Sequence, residues 1–559
     1  MVGRLLTPGW TAGYQRGWLR GDVLAGVTIT AYLIPQVMAY AEVAGLPAVV
    51  GLWASVGALL AYAVLGSSRQ LSVGPESTTA LMTAAAIGAL TTTGTHEYAD
   101  LAAALCLVVA SVCLLGWLGR LAFLAELLSR PVLVGYMSGV ALIMIVSQLG
   151  KLTGIDVEVD GLLPELGYVV GHLDEVHTAT LTLGLATLVV MLTGSVVFPR
   201  APMALIGMVG AAAATALLRL TDRGIAVIGT IPAGLPVPSF PQVSLDAVVS
   251  LIPGALGVAF VAYTDNILTG RAFANRRGER IDAKRELLAL GAANLASGVM
   301  HGFPVSSSGS RTTIGDASGG RTQLTGLVTV AATILALLTL RPVLASFPTA
   351  ALGAVVVYAA VRLIDIAEFR RLAGFRRTEF LIALATTIAV LVVGALLGVL
   401  VAIGLSVLAL LGRVARPHDA VQGFVPDLAG MHDVDDYPGA AVVPGLMVYR
   451  YDSPLFFANT EDFRRRALAS VADADEPVLW FVLNAEAITD VDITAVDALE
   501  DVRRELTDQG IVFAMARVKW ELRSDLERIG LLERIGENRL FPTLPTAVDA
   551  FRSWQDDDQ

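Results

Sequence analysis

Through its first 415 or so residues the chain repeats apolar runs of about 17–25 residues, the length that crosses a bilayer as a helix. Backbone in hydrocarbon has no water to bond. A series of this kind therefore folds as a helical bundle whose hydrogen bonds close internally. About fourteen segments can be marked, near 23–43, 47–66, 76–91, 100–119, 131–150, 178–198, 202–219, 248–268, 284–300, 308–318, 322–341, 348–365, 378–394 and 396–414. The third and tenth, 76–91 and 308–318, are too short or too polar to span alone.

Charged residues are 16% of the chain, against about 25% in soluble domains. Their placement sets orientation. "GRLAFLAELLSRP", "FPRAP", "NRRGERIDAKR" and "RLIDIAEFRRLAGFRR" fall on the side of the basic N-terminus, 1–20. The acidic loops "TTTGTHEYAD" and "TGIDVEVDGLLPELGYVVGHLDEVH" fall on the other. Basic loops stay inside, which predicts a multi-pass protein of the cell inner (plasma) membrane with both termini cytoplasmic. The N-terminus lacks the compact apolar core and small-residue site of a cleavable signal. Cys106 and Cys113 lie about two helical turns apart, too far for a disulfide, and read as packing residues. Net charge −11 argues against a nucleic-acid partner. With no paired catalytic acids, metal-ligand spacing or nucleophile–base signature, the expectation is a non-enzyme without cofactor or metal.

The two weak segments stand seven apart, which divides the bundle into halves near 21–220 and 245–415. "RPVLVGYMSGVALIMI" in the fifth segment is similar to "FPTAALGAVVVYAAVRL" in the twelfth. An odd number of spans per half inverts the second repeat in the membrane. Paired interrupted segments point to a transporter's binding site.

The text of those segments fits that role. Pro75 in "LSVGPESTTALM" and Pro304 in "FPVSSSGSRTTIG" suit the start of a helix and forbid its backward continuation. Each run therefore reads as extended chain leading into a half-helix. Two helix N-termini meeting near the midplane offer free N–H groups and the positive ends of two dipoles to an anion. Hydroxyls add neutral donors, and Arg311 adds full charge. Serines that merely cap or pack are the plainer reading of one such run; two runs at matching positions favour an anion cradle.

Three acids lie in or near apolar helices, where carboxylates are costly and often functional: Glu42, Glu76 and Asp265. Asp265 faces the cradle by this reading, and can exchange a proton, pair with Arg311, or coordinate Na+ with Thr264 or Thr269. Glu42 either couples transport to a cation or pairs structurally. Glu76 opposes an anion unless protonated, and reads as a first-turn acid stabilised by its own helix dipole.

After "GRVARPHDA" the text changes. We expect a linker over 416–439, a soluble α/β domain over 440–553 and a disordered acidic tail at 554–559. "GLMVYRYDSPLFFAN" reads as a strand pair, "PVLWFVLNAEAI" and "IVFAMARV" as buried strands, and "TEDFRRRALASVA" and "AVDALEDVRRELTDQG" as helices, the second ending at Gly510. Strands alternating with helices imply a mainly parallel, helix-covered sheet.

The stretches "GDVLAGVTITAYLIPQVMAYAEVAGLPAVVGLWASVGALLAYAVLGSSRQLSVGPESTTALM" and "HGFPVSSSGSRTTIGDASGGRTQ" resemble the sulfate permease (SulP) family of anion transporters, over nearly the whole chain. The resemblance implies a seven-plus-seven inverted repeat, with a core domain moving against a gate domain in an elevator-like way. It implies an anion site between half-helices three and ten, a cytoplasmic STAS domain, and a homodimer in membrane lipid. Bacterial members move sulfate, bicarbonate or dicarboxylates, often with H+ or Na+. By position, Ser77, Thr78 and Thr79 open the third half-helix, and Ser308, Gly309, Ser310 and Arg311 the tenth. Glu42 matches a position where proton-coupled members carry an acid, and Asp265 with Thr269 falls near the Na+ region of bicarbonate-type members. "ITDVDITAVDALEDV" is similar to the strand–turn–helix loop of STAS modules. There Thr494 stands near a serine that is phosphorylated in relatives, and either accepts phosphate or caps its helix. A regulatory protein is expected at this domain. The combined expectation is a secondary active anion transporter, sulfate favoured and proton-coupled. Na+-coupled bicarbonate or proton-coupled dicarboxylate transport are the alternatives, along with an uncoupled channel. A membrane-anchored anion sensor signalling through the STAS domain is the rival of another class.

Overall fold

A computed structural model of the chain describes residues 10–558 apart from 12, 89, 92–94, 127, 128, 158, 160, 200, 233 and 438. The first nine positions of the expected N-terminal segment, and part of the acidic loop at 91–100, lie outside the described residues. Two compact units divide between Ser406 and Val407.

The first unit is helical. Among the described residues, eight helices are long and apolar enough to cross a membrane, and four shorter apolar helices accompany them. In chain order the elements are α1 (Leu19–Val43), α2 (Ala48–Leu65), β1 (Val73–Gly74), α3 (Ser77–Gly88), α4 (His96–Leu118), α5 (Arg130–Ser147), α6 (Leu149–Thr153), α7 (Leu162–Gly171), α8 (Thr178–Val197) and α9 (Met203–Leu217). After these come α10 (Leu245–Arg276), α11 (Ala283–Val299), β2 (Ser306–Ser307), α12 (Gly309–Ala317), α13 (Leu324–Thr339), α14 (Arg341–Ala345), α15 (Thr349–Leu363), α16 (Ile366–Phe375) and α17 (Arg377–Ala415). One expectation needs correction. The acidic loop at 153–177 contains the helix α7, whose apolar residues "LLP" and "YVV" recur at helical spacing. The last two expected spans, 378–394 and 396–414, stand as the two helical pieces of α17, which meet at a kink at Gly394, whose φ of 84° lies in the left-handed region.

The helices sort into two packed sets. In one, α11 packs on α4 and α2, α10 on α4 and α3, and α13 on α1 and α2. In the other, α15 packs on α8, α5 and α6, and α9 on α8. Helix α1 is the seam, since it also packs on α15 and α9. Small residues allow close crossings in the absence of a hydrophobic driving force. At Gly51 a Cβ would overlap the backbone carbonyl of Val37, so α1 and α2 touch main chain to main chain.

The second unit carries a six-stranded sheet, β3 (Asp419–Phe424), β4 (Met431–Asp433), β5 (Leu446–Tyr451), β6 (Trp480–Asn484), β7 (Val512–Ala516) and β8 (Leu540–Phe541), in the order β4-β3-β5-β6-β7-β8. Strands β5 to β8 are parallel, and β3 and β4 are antiparallel additions. Alternate residues serve two cores: Met447, Tyr449, Phe481 and Phe513 on one face, Leu446, Val448, Trp480 and Val482 on the other. Helices cover both faces, which is why these strands read as continuous apolar runs. Helices α18 (Thr460–Ala472) and α19 (Ile493–Asp508) stand as expected, with Gly510 at φ 79° just past α19.

Three assignments fail here. The linker of 416–439 holds β3 and β4, whose short polar text hid strands that pair at the sheet's edge. The expected strand pair at 445–459 is the single strand β5 followed by an isolated bridge from Leu455 to Val491. The acidic tail is not a separate coil, since the last helix runs from Leu544 to Asp558, anchored by Ala547, Val548 and Phe551 in the core.

Glu500 on α19 yields a pH prediction. It accepts from Arg503 at 2.7 and 2.9 Å and from Arg504 at 2.9 Å. The hydrogen bonds from Arg503, and then the charges of Arg503 and Arg534, hold its carboxyl below the usual range against the opposing effect of burial. A depressed folded-state value stabilises above the unfolded value, and that contribution is lost as pH falls through the folded one. In urea unfolding of residues 417–559 we expect Glu500→Gln to cost about 1–2 kcal/mol near neutrality, and the two curves to converge in acid.

Candidate anion site

The third and tenth segments are broken as the prolines require. Each begins as extended chain and becomes a short helix only at Ser77 and Gly309. The extended pieces pair antiparallel, Val73 with Ser307 and Gly74 with Ser306, and the Ser308 amide donates to Ser72 O at 2.8 Å. This two-strand pairing lets two helix N-termini face one another inside the bundle. It is braced from outside. Asn294 on α11 donates to Val305 O at 3.2 Å and accepts from Val305 N at 3.0 Å. Gln323 donates to Ser68 O at 3.0 Å and Leu71 O at 2.8 Å. Such side chains satisfy backbone that no helix serves.

Arg311 lies at the junction, fully buried. Its Nη1 donates to Pro75 O at 3.0 Å, across from one tip to the other. Among the described residues its Nε and Nη2 have no hydrogen-bond partner. Buried donors without partners are rare and call for an explanation. At Gly74 a Cβ would stand 3.4 Å from Nη2, so the bare backbone there leaves room beside the guanidinium. Ser308 caps α12, its hydroxyl accepting from Arg311 N at 3.5 Å and lying 3.2 Å from the Ser310 hydroxyl. Ser310 is exposed and Gly309 half-buried, so they form the rim.

On the other tip Ser77, Thr78 and Thr79 are buried. Their N–H groups precede the helix's first bond, from Ala80 N to Glu76 O at 2.9 Å. Two of the three hydroxyls are turned elsewhere: Thr78 to Met137 Sδ at 3.8 Å and Thr79 to Glu76 O at 3.1 Å. What these residues offer an anion is mainly backbone. Tyr40 of α1, fully buried, lies beside Ser77, Glu76 and Arg311.

Helix α10 walls the second tip. Asp265 accepts from the Ser307 hydroxyl at 2.8 Å. Thr269 is one turn on, its methyl 3.9 Å from where a Gly309 Cβ would stand. The Thr264 hydroxyl instead donates to Phe260 O of its own helix at 2.9 Å. Glu42 is in a different place. It pairs with Lys151 of α6 at 2.7 Å, joining the seam helix α1 to the second helix set. Glu76 pairs with Arg311 at 3.6 Å, so it is more than a first-turn acid of its own helix.

Reading the sequence missed Lys151, Tyr40 and two buried carboxylates, Asp22 and Glu286. Asp22 accepts from Arg321 N at 2.6 Å, Thr322 N at 3.1 Å and the Thr322 hydroxyl at 2.7 Å. Both acids sit near helix starts, where a first-turn reading suffices, and apart from Asn266 their partners named here are some 200–300 residues away. Thr494 is exposed in the first turn of α19, but it is not the cap: Asp492 accepts from Ala495 N at 2.8 Å and fills that role.

Residues 19–386 match the model of the sulfate permease family, and residues 437–547 that of the STAS domain. A probable sulfate transporter of Mycobacterium tuberculosis is 55% identical over 558 residues, covering 99% of this chain and 100% of that protein. The chloroplastic sulfate transporter 4.1 of Arabidopsis thaliana is 29% identical, covering 96% of this chain and 81% of its own. The fold is similar to that of the murine Solute Carrier 26 family member A9 anion transporter in its inward-facing state, with a TM-score of 0.89 at 22% identity over 98% of this chain and 94% of that one. The transmembrane domain of the cyanobacterial bicarbonate transporter BicA is similar over 70% of this chain and 98% of its own, with a TM-score of 0.61 at 22% identity.

Proposed function

Because this chain belongs to the sulfate permease family, we propose that it is a secondary active carrier of a small oxyanion, sulfate favoured, driven by protons. The observation that carries this reading is Arg311, a buried guanidinium with two free N–H directions at the meeting point of two helix N-termini. An oxyanion fits that fork with charge-assisted bonds, and the amides of Ser77 to Thr79 and of Gly309 and Ser310 complete its shell. Hydroxyls of Ser308 and Ser310 tune it. The set containing α3, with α12 joined to it through the β1–β2 pairing, shifts against the set containing α5 and α15, carrying the bound anion in an elevator-like step. The Glu42–Lys151 pair crosses the seam and would break and re-form with each stroke. Coupling through Asp265 and Thr269 to Na+, with bicarbonate as substrate, is the second reading, supported by the Asp265–Ser307 contact at the tip.

The protein in this reading works as a homodimer in the cell membrane with both termini cytoplasmic. Thr494, accessible in the first turn of α19, is its regulatory phosphorylation position, and the STAS domain the docking point for a regulatory protein. The test is uptake of labelled sulfate by proteoliposomes, with bicarbonate and succinate as competitors, at two pH values with and without Na+. Uptake that an inward proton gradient raises several-fold and Na+ leaves alone is expected. Binding without flux would identify a sensor, and conductance indifferent to both gradients a channel.

A further inference from the structure

One carboxylate in the cradle stands where it would hinder an anion. Glu76 immediately precedes α3, and its carbonyl receives the first helical bond. Its side chain turns back to the guanidinium: Oε2 lies 3.6 Å from Arg311 Nη1, buried and, among the described residues, without a hydrogen-bond partner. The carboxylate also lies beside the Ser77 amide and the Ser308 hydroxyl. Arg311, the α3 amides and Ser308 are the donors an incoming oxyanion needs. The Glu76 carboxylate thus stands in for the substrate's own oxygens.

Charge at the site sharpens the conflict. With Glu76 and Asp265 ionised, two carboxylates face one guanidinium, and the cradle is net negative before any anion arrives. The other facing groups do not correct this. Helix α1 contributes the Tyr40 phenol and α5 the Met137 thioether. Glu286 is held by Tyr62, Ser67, Ser68 and Asn266, and Glu42 by Lys151.

We infer that Glu76 and the transported oxyanion compete for Arg311, so that the anion loads only onto the form of the carrier in which Glu76 holds a proton. This rests on the cradle being the transport site. A proton from the aqueous phase adds to Glu76 and the ion pair with Arg311 dissolves. The anion's oxygens then take the guanidinium. On the far side the anion leaves, the proton returns to water, and the carboxylate re-pairs with Arg311. The empty carrier returns with its charges closed internally. One proton travels with each anion in the same direction. Asp265, engaged by the Ser307 hydroxyl, makes no ion pair with Arg311 among the described residues, and Glu42 is not at the cradle at all.

The experiment is equilibrium binding of radiolabelled sulfate to purified full-length protein between about pH 5 and pH 8, paired with proteoliposome uptake. Once Glu76 is ionised, wild-type affinity should weaken about tenfold for each pH unit, as binding linked to one proton requires. Glu76→Gln should flatten that slope, bind about tenfold or more tighter than wild type at the alkaline end, and lose accumulation driven by a proton gradient. Glu76→Asp should keep a slope with a displaced midpoint. A Glu76→Gln protein that keeps the wild-type slope, or one that is monodisperse yet binds no sulfate, overturns the inference. So does a slope abolished by Asp265→Asn and untouched at Glu76. Wild-type protein that binds no sulfate at any pH sinks the transport reading itself, and this inference with it.

Discussion

Arg311→Ala is expected to remove anion binding, by about a hundredfold or more, while the helical unit stays folded. Truncating one partner of a buried charge-assisted pair costs about 2–5 kcal/mol, and here the fork supplies two bonds at once. Arg311 also donates to Pro75 O, so its loss frees one carbonyl and leaves Glu76 without its counter-charge. Some loss of thermal stability should follow. The double variant Arg311→Ala/Glu76→Gln should recover part of that stability, because it removes the unpaired buried charge. It should recover no binding, and that split separates a substrate contact from a scaffold role. Arg311→Lys keeps the charge but not the planar fork, and should fall between. Sulfate binding at wild-type strength in a folded Arg311→Ala protein would remove the cradle from the mechanism.

How much of this was legible follows from the range of the interactions. Helix positions came from local text: the apolar runs place α1 to α5 within a few residues, and Pro75 and Pro304 mark the broken spans. Arg311 stood out because a charge amid four serines between apolar runs has few bland explanations. The partners did not stand out. Glu42 and Lys151 lie 109 residues apart, and nothing near either announces the other. Thr78 and Thr79 were read as hydroxyl donors from residue type, yet rotamer and packing decide where a hydroxyl goes, and theirs go to Met137 and a backbone carbonyl. The strands β3 and β4 were missed because edge strands are short and polar, while the buried strands β5 to β7 read clearly as apolar runs. Local chemistry shows in a sequence, and pairing across the fold does not.

Glu286→Ala should produce the largest loss of stability of any single substitution in the helical unit. The side chain is fully buried in α11. It accepts from the Tyr62 hydroxyl at 2.8 Å, Ser67 N and Oγ at 2.7 Å each, Ser68 N at 3.1 Å and Asn266 Nδ2 at 2.6 Å. Those donors belong to α2, to α10 and to the extended chain that leads into β1. Alanine would leave them all buried and unpaired, and each such group costs about 1–3 kcal/mol, less what water recovers by entering. A net loss of about 4 kcal/mol is expected. Glu286→Gln keeps the shape but sets an amide N–H₂ against donors, so about half that loss is expected. The damage should reach the site although Glu286 touches no anion: Ser67 and Ser68 position the strand that carries Gly74 and Pro75 to Arg311. Sulfate binding should therefore fall together with thermal stability in Glu286→Ala, whereas Arg311→Ala loses binding with a much smaller loss of stability. A Glu286→Ala protein that melts like wild type would mean that its five bonds merely replace equivalent bonds to water, and that the pairing with β2 and the bonds from Gln323 hold the first tip without it.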